Sequence, residues 1–414
     1  MNQQTTLKHI LKDKLRTYLN KFGFEEKRIN ILYMIYSMLK CGDYENGYMS
    51  YFCVHCKKTI RIKFSCRTRL CSKCGQQLTK KHTQGFVNRM INKTHRHVTF
   101  TIPKLLWAYY LENIKLQQDL ARMAYKSMKD VMELYLRVHV TPGCMSVIHT
   151  FGRDLKVNFH IHMIVTEGGI TQNGKWIDFN FFPFEKRGKI FKTLNEIWME
   201  NVLDSVRRHL RSKIILEGLI EELNSRYSNG FYIHGPKENR IKTNRKAKKK
   251  ADYITRYVHH AIISDTRIEN YDGEIVTFWY NYPTTKERRY VKMNVLDFID
   301  KIILHIPQKN FKMVLYYGLY SPHYPKKENI QLIFNIDGKV DNPDNLDWRN
   351  KSYLNFGRDP LICTECRDEM IFICVVVKRR DKYSIFYKLG CNDLDAIDYN
   401  ENEEEFISSF NLAR

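Results

Sequence analysis

Residues 144–166 are CMSVIHTFGRDLKVNFHIHMIVT, and this segment predicts the centre of the fold. Cys144–Phe151 and Phe159–Thr166 are rich in β-branched and other apolar residues, which predicts a strand in each. The short link between them favours an antiparallel hairpin. Because side chains alternate along a strand, His160 and His162 project from one face and the residue between them from the other.

Two imidazoles on one strand face can bind a divalent metal ion and leave coordination positions for a phosphate oxygen and water. Alone the pattern is weak, because two strand histidines are often structural. A second signal lies downstream, where Tyr253-Ile-Thr-Arg-Tyr257 places two tyrosines on one face of a predicted helix at about 250–262. Such a pair usually packs in a core. A phenolic oxygen can, however, attack a phosphodiester and form a covalent phosphotyrosine.

The charge balance indicates a polyanionic partner. The 414 residues include 68 Lys and Arg against 45 Asp and Glu, giving a formal charge of +23 and a pI of about 9.4. Phosphate contacts by such a chain release condensed counterions, which favours nucleic acid, although a generally basic protein is the alternative. The run PKENRIKTNRKAKKK at 236–250 predicts a mobile basic arm just before the tyrosines.

The N-terminus has no apolar run of signal-peptide length, and no stretch of about 20 apolar residues is present to span a membrane. We therefore expect a cytoplasmic protein that has no membrane partner. In that setting the 11 cysteines, several in CxxC pairs, favour metal binding over disulfides.

The CxxC pairs predict structural zinc. Cys53-Val-His-Cys56 and Cys71-Ser-Lys-Cys74 supply four thiolates, which close a tetrahedral shell, so the binding energy becomes folding energy. Free cysteines or a redox pair are the alternatives. Cys66 could replace one ligand, with His55 and His82 as weaker substitutes. A third pair, Cys363 and Cys366, has no clear partner pair, since Cys374 and Cys391 do not form a CxxC; a second zinc site is left open.

Apolar periodicity predicts helices over 5–40, 104–137 and 184–227, and β-rich patterns predict strands at 97–103, 275–281, 289–293 and 311–318. The last hundred residues look separate and end in an acidic tail. The predicted domains are a helical and zinc-binding domain (1–92), a catalytic domain (93–325) and a C-terminal domain (326–414).

Five segments together resemble the two-tyrosine HUH transposases of rolling-circle insertion sequences, the IS91 family. The resemblance covers roughly residues 30–325, in order and spacing. Phe159 is a departure, since family members often carry proline before the first histidine. The matching segments are HTFGRDLKVNFHIHMIVTEGG (149–169), YFCVHCKKTIRIKFSCRTRLCSKC (51–74), HVTFTIPKLLW (97–107), YITRYVHHAIIS (253–264) and VLYYGLYS (314–321).

The resemblance implies an α+β fold with an HUH endonuclease core, a central antiparallel sheet flanked by helices, beside an N-terminal helical and zinc-ribbon domain and a small C-terminal domain. It implies Tyr253 and Tyr257 as nucleophiles and Mg²⁺ or Mn²⁺ on His160 and His162. Many HUH enzymes use a third ligand, for which His149 is our candidate. The alternative ligands are Asp154, His259 and His260, and His149 could instead only pack in the sheet.

The implied activity is cleavage and rejoining of single-stranded DNA at insertion-sequence ends through a 5′-phosphotyrosine, and a DNA hairpin at such an end is a candidate substrate. The DNA backbone would be held by Lys246, Lys248, Lys249 and Lys250, although a flexible charged loop is the alternative. Arg256 would also contact a phosphate, and its alternative is that it only solvates the tyrosine helix. A rolling-circle replication initiator with the same chemistry is one rival. A zinc-dependent DNA-binding protein without catalysis is another.

Overall fold

The computed structural model of the chain is a mixture of helices and antiparallel sheets, which confirms the predicted α+β class. It describes residues 6–23, 29–87, 89–184, 192–210, 213–241, 262–282, 285–308, 311–324, 349, 359, 361–379, 382–387 and 397–398.

Helices α1, α2 and α4 to α7 follow the predicted apolar periodicity of the N-terminal and central regions, whereas α3 and α8 were not predicted. Those of the described residues are α1 (Leu7–Phe22), α2 (Ile29–Leu39), α3 (Ser72–Val87), α4 (Lys104–Glu112), α5 (Ile114–Leu136), α6 (Leu194–His209), α7 (Lys213–Arg226) and α8 (Val295–Leu304).

The strands include every strand predicted above, with bounds that shift by a few residues. Those of the described residues are β1 (Tyr48–Cys53), β2 (Lys58–Lys63), β3 (His95–Thr101), β4 (Val140–Thr141), β5 (Gly143–Phe151), β6 (Val157–Thr166), β7 (Gly168–Thr171), β8 (Trp176–Asp178), β9 (Ile233–His234), β10 (Arg240–Ile241), β11 (Ile268–Tyr271), β12 (Ile275–Asn281), β13 (Arg288–Asn294), β14 (Val314–Gly318), β15 (Ile371–Arg379), β16 (Lys382–Tyr387) and β17 (Ile397–Asp398).

The central sheet has the strand order β10-β3-β6-β5-β14, and β9 also pairs with β3. The predicted hairpin is confirmed, because β5 and β6 pair antiparallel across the link at 152–156. The hairpin lies between β3 and β14, so β6 is bordered on both sides. This arrangement holds the backbone of the His160–His162 segment in a ladder on both edges.

The two faces of the central sheet have different partners. One face contributes Val98, Phe100, Ile148 and Ile161 to a large buried core with helices α4 to α7. Side chains of the opposite face pack in a smaller core with Phe86 of α3. Because the strands alternate, the histidines of β6 belong to this second face, away from the helical layer.

Gly168 directs the chain out of the central sheet after β6. Its φ of +141° is a conformation that L side chains rarely adopt, and a Cβ there would lie 2.3 Å from the carbonyl oxygen of Ile177. The chain enters β7, which belongs to a separate small sheet with β4 and β8. The Gly168-Gly169 pair therefore marks a change of sheet.

The N-terminal helices pack on the strands β11 to β13 and on helix α8. Thr6 caps α1 by accepting a hydrogen bond from the His9 amide, and the apolar stripe of α1 then enters a core with Ile299 of α8. Tyr18 of α1 also donates a 2.8 Å hydrogen bond to Asp300. The same core contains Leu155, in the turn of the β5–β6 hairpin, so this unit lies next to the histidine hairpin.

The C-terminal segment does not form a sheet of its own. Strand β15 pairs with β1, and the resulting sheet has the order β17-β16-β15-β1-β2. The described part of the predicted domain 326–414 is thus an extension of the N-terminal zinc region. The sequence could not indicate this, because the pairing joins strands more than 300 residues apart.

Candidate functional site

Three histidines meet on the face of the central sheet that is turned away from the helical layer. His149 of β5 lies directly opposite His160 of β6, and His162 follows two residues later on the same face. Ring centroids are separated by 5.2 Å for His149 and His160, 4.8 Å for His149 and His162, and 4.9 Å for His160 and His162. One nitrogen of each ring lies within 4.8 Å of the others, so the three could share one ion.

A backbone carbonyl fixes the tautomer of His160. Its Nδ1 lies 2.8 Å from the carbonyl oxygen of Asn158, and since a carbonyl can only accept, Nδ1 carries the proton. The lone pair then remains on Nε2, as a metal ligand requires. Burial lowers the pKa of His160 and favours this neutral form.

His162 has a partner on the neighbouring strand. Its Nδ1 lies 3.0 Å from Nε2 of His97 and 3.3 Å from the hydroxyl oxygen of Thr99, both on β3. Burial lowers the pKa of His97 to about 3, so His97 is neutral and its Nε2 can accept a hydrogen bond. If Nδ1 of His162 donates, its Nε2 lone pair is available for a metal, as for His160.

The structure separates the two described candidates for the third metal ligand. His149, the preferred third ligand, lies in the histidine group, whereas Asp154 accepts a hydrogen bond from the Lys156 amide in the hairpin turn. The remaining predicted residues lie outside the described residues. They are the nucleophile candidates Tyr253 and Tyr257, the alternative ligands His259 and His260, and the DNA-contact candidates Lys246, Lys248, Lys249, Lys250 and Arg256.

Sequence reasoning missed His97. The signal was available, because His95-Arg96-His97 has the same two-residue spacing as the predicted ligand pair. In β3, however, His97 is only 3% exposed and contacts the ring of His162. It is therefore a neighbour of one candidate ligand and is not itself in the group of three.

Eight of the ten described cysteines form two groups of four. The first is Cys41, Cys66, Cys71 and Cys74. Its Sγ atoms are 3.6 Å apart for Cys41 and Cys74, 3.6 Å for Cys66 and Cys74, and 3.8 Å for Cys71 and Cys41. Tetrahedral zinc with Zn–S bonds of about 2.3 Å separates its sulfurs by about 3.8 Å. The geometry therefore fits a closed structural site.

The second group consists of Cys53, Cys56, Cys363 and Cys366. The predicted single site of Cys53, Cys56, Cys71 and Cys74 is therefore wrong in its grouping, because the two CxxC pairs lie in different groups. The physical reason is that the β1–β2 hairpin directs the first pair toward the strand that follows Cys366, while the second pair lies at the start of α3, next to the end of α2.

None of the helices within the described ranges has both the length and the apolar surface needed to cross a membrane.

Comparison with known proteins places these features in a family. Residues 143–328 match the family described as "Putative transposase", and residues 10–102 match the family described as "Transposase zinc-binding domain". The first match contains the histidine hairpin, and the second contains the first cysteine group. No solved structure matches the chain.

Two curated relatives agree with these matches. The chain is 26% identical over 289 residues to "Transposase for insertion sequence element IS801" of Pseudomonas savastanoi pv. phaseolicola, covering 68% of each chain. It is 24% identical over 283 residues to "Putative transposase y4qJ" of Sinorhizobium fredii, covering 66% of this chain and 70% of the relative. The chain is thus an IS91-family transposase with an N-terminal zinc-binding domain.

Proposed function

We propose that this transposase cleaves and rejoins single-stranded DNA at the ends of its insertion sequence through a 5′-phosphotyrosine. The observation that carries the proposal is the histidine group on one face of the central sheet. His149, His160 and His162 would hold Mg²⁺ or Mn²⁺. Such an ion supplies Lewis-acid stabilisation of charge on a non-bridging phosphate oxygen.

The nucleophile in this proposal is the phenol of Tyr253 or Tyr257. Its oxygen forms a bond to phosphorus and loses its proton, while the bond from phosphorus to the 3′ oxygen breaks and that oxygen leaves as a 3′-hydroxyl. The second tyrosine permits a second cleavage while the first covalent link persists. The phosphotyrosine conserves the bond energy, so rejoining by attack of a 3′-hydroxyl needs no nucleotide cofactor.

The flanks of the tyrosine segment support this assignment. Before it, Ile241 ends β10, which pairs with β3 of the central sheet. After it, Ile262 and Ile263 are buried in the core that also contains Leu155 of the histidine hairpin turn. The chain therefore enters and leaves the tyrosine segment beside the sheet that carries the histidines.

One face of strands β12 and β13 has the side chains that suit binding of single-stranded DNA. Trp279 and Tyr290 lie opposite each other on β12 and β13, on the face turned away from the buried Phe278. Tyr290 is 54% exposed, and the guanidinium of Arg288 lies 4.3 Å from the centroid of the Trp279 indole. Lys292 shares this face, and neither strand contains an acidic residue.

We propose that unpaired bases stack on this Trp279–Tyr290 surface while Arg288 and Lys292 contact phosphates. Stacking on aromatic rings requires exposed base faces, which favours single strands over duplex. The surface is adjacent to the site, because Arg153 of the histidine hairpin turn donates a 3.0 Å hydrogen bond to the carbonyl of Asn281 in β12.

The test is a covalent-adduct assay. Oligonucleotides tiling both strands of the DNA that flanks the gene carry a fluorophore at the 3′ end, so a 5′-phosphotyrosine leaves the label on the protein. Wild type with Mg²⁺ or Mn²⁺ should give a labelled protein band in a denaturing gel. The double variant Tyr253→Phe, Tyr257→Phe and wild type in EDTA should give none.

Tyr33→Phe, which changes an exposed tyrosine of α2, is the control and should retain the adduct. An adduct that persists in the double tyrosine variant contradicts the assigned nucleophiles. Binding of the oligonucleotides without any adduct in wild type, under all metals, favours the rival of a non-catalytic DNA-binding protein. A parallel set of oligonucleotides covers a replication origin, and adduct formation with that set alone favours the initiator.

A further inference from the structure

Two hairpin turns, each with a CxxC motif, meet at one end of the five-stranded sheet. The first joins β1 to β2, where Cys53 pairs with Lys58 across the turn. The second covers residues 361–370, where Ile362 forms a bridge to Glu369. Because β1 pairs with β15 next to these turns, the two tips lie side by side although they are about 310 residues apart in the sequence.

The two turns share an unusual backbone feature. Lys57 has a φ of 52° and Arg367 a φ of 68°, and each directly follows the second cysteine of its CxxC. Residues with a Cβ rarely take positive φ, so the same conformation at the same position is a specific similarity between the turns. Arg67, with a φ of 52°, repeats it directly after Cys66 in the first cysteine group.

The four thiols of the two turns converge. The Sγ atoms of Cys53 and Cys366 are 3.4 Å apart, and those of Cys56 and Cys363 are 3.9 Å apart. These values bracket the separation of about 3.8 Å expected around tetrahedral zinc. They are far longer than the bond of about 2.05 Å in a disulfide. The Cys56 amide also donates to Cys53 Sγ at 3.4 Å, as suits a thiolate.

We propose that Cys53, Cys56, Cys363 and Cys366 bind a second zinc ion, which fastens the C-terminal segment to the N-terminal zinc region. Binding would deprotonate the four thiols and release their protons. The matched zinc-binding domain ends at residue 102, so half of this ligand set lies outside it. The first group, by contrast, lies wholly within the matched range.

Neighbouring groups complete the turn but are not needed as ligands. Lys58 forms a 2.7 Å ion pair with Glu365 between the two tips, and both side chains are exposed. His55 and Asp368 lie near Cys366. Four thiolates already fill a tetrahedral shell, and therefore a His55→Ala variant should retain the second zinc.

The experiment counts zinc in the full-length protein by native mass spectrometry and elemental analysis, after purification without chelators. Wild type should carry two zinc ions per chain. Cys363→Ser with Cys366→Ser should carry one, and so should Cys71→Ser with Cys74→Ser, which breaks the first group. Cys374→Ala is the matched control on β15, belongs to neither group, and should retain two.

Alkylation mapping on wild type gives a second measurement that needs no variant. Cys53, Cys56, Cys363 and Cys366 should resist a brief pulse of N-ethylmaleimide and become reactive together when zinc is removed. Hydrogen exchange in the 48–63 peptide should also rise in the Cys363→Ser, Cys366→Ser protein. The proposal is overturned if wild type carries one zinc, or if Cys363 and Cys366 react while Cys71 and Cys74 stay protected.

Discussion

Nε2 of His97 lies 3.0 Å from Nδ1 of His162, across the pair of neighbouring strands β3 and β6. His162 is therefore held by a buried, neutral imidazole on one side and presents its other nitrogen to the group with His149 and His160. A hydrogen-bond partner of this kind sets the tautomer and orientation of a metal-binding histidine.

We predict that His97→Ala weakens Mn²⁺ binding about 10- to 100-fold, because His162 loses the acceptor that keeps its proton on Nδ1. His97→Gln should restore much of the affinity, since its amide oxygen can accept the same hydrogen bond. Calorimetric titration of zinc-loaded protein with Mn²⁺ measures both. A role limited to packing would instead affect thermal stability in both variants and leave Mn²⁺ affinity unchanged.

The third-ligand assignment can be tested directly. His149→Ala should lower Mn²⁺ affinity and abolish adduct formation, because only two imidazoles would remain to bind the ion. Asp154→Ala, in the turn of the same hairpin, is the control and should change Mn²⁺ affinity little. Comparable losses in the two variants would mean that the hairpin as a whole matters and that His149 is not a ligand.

The Trp279–Tyr290 surface predicts a selective loss of single-strand binding. Trp279→Ala should weaken the binding of an unpaired oligonucleotide about tenfold, since stacking contributes about 1–3 kcal/mol per base. Fluorescence anisotropy measures the affinity, and duplex of the same sequence is the reference. An equal loss for single strand and duplex would contradict stacking.

Arg288→Ala should lower the slope of log affinity against log salt concentration by about one for the same oligonucleotide, because one phosphate contact is removed. Arg226→Ala, which removes an exposed arginine of α7, is the control for a general change in net charge. A salt slope that falls equally in both variants would assign the effect to net charge and not to the surface.

His305 predicts acid sensitivity of the fold. It is 4% exposed at the end of α8, its Nε2 donates to the carbonyl of Leu155 at 3.2 Å, and burial lowers its pKa to about 4. In the unfolded chain its pKa is about 6.5. The stabilising contribution is thus fully present above pH 6.5 and is lost as pH falls toward 4, because the unfolded state then binds the proton more readily.

Titration of His305 should make the free energy of unfolding at pH 5.5 about 1 kcal/mol lower than at pH 7.5. His305→Gln can keep the donor to Leu155 without titrating, so its free energy of unfolding should fall less than that of wild type between pH 7.5 and 5.5. Urea denaturation at the two pH values measures the difference. His139→Gln, a substitution at an exposed histidine after α5, should behave as wild type.

Local patterns in the sequence predicted the central elements. Alternation over 144–166 identified the hairpin and put His160 and His162 on one face, because a strand has a fixed side-chain period. The same rule could have identified His97. The grouping of the cysteines could not be predicted in this way, because it depends on which strands pair. Strand β1 pairs with a strand that begins at Ile371. No local period carries that information.

Helix α8 was missed for a related reason. Residues 295–304 follow β13 directly, and Asn294 ends the strand while its side chain caps the helix by accepting from the Leu296 amide at 2.9 Å. The Asn cap was the available signal for a change of structure at this point. The position of this helix against α1 depended on tertiary packing alone.

The pairing of β1 with β15 also determines when the amino-terminal sheet can form completely during synthesis of the chain. Until the ribosome has passed Arg379, one edge of β1 has no partner, and at ordinary elongation rates that interval lasts on the order of tens of seconds. An open strand edge invites pairing with other chains. A product terminated before β15 would keep that edge, so only a polypeptide that extends past Arg379 acquires a finished amino-terminal sheet.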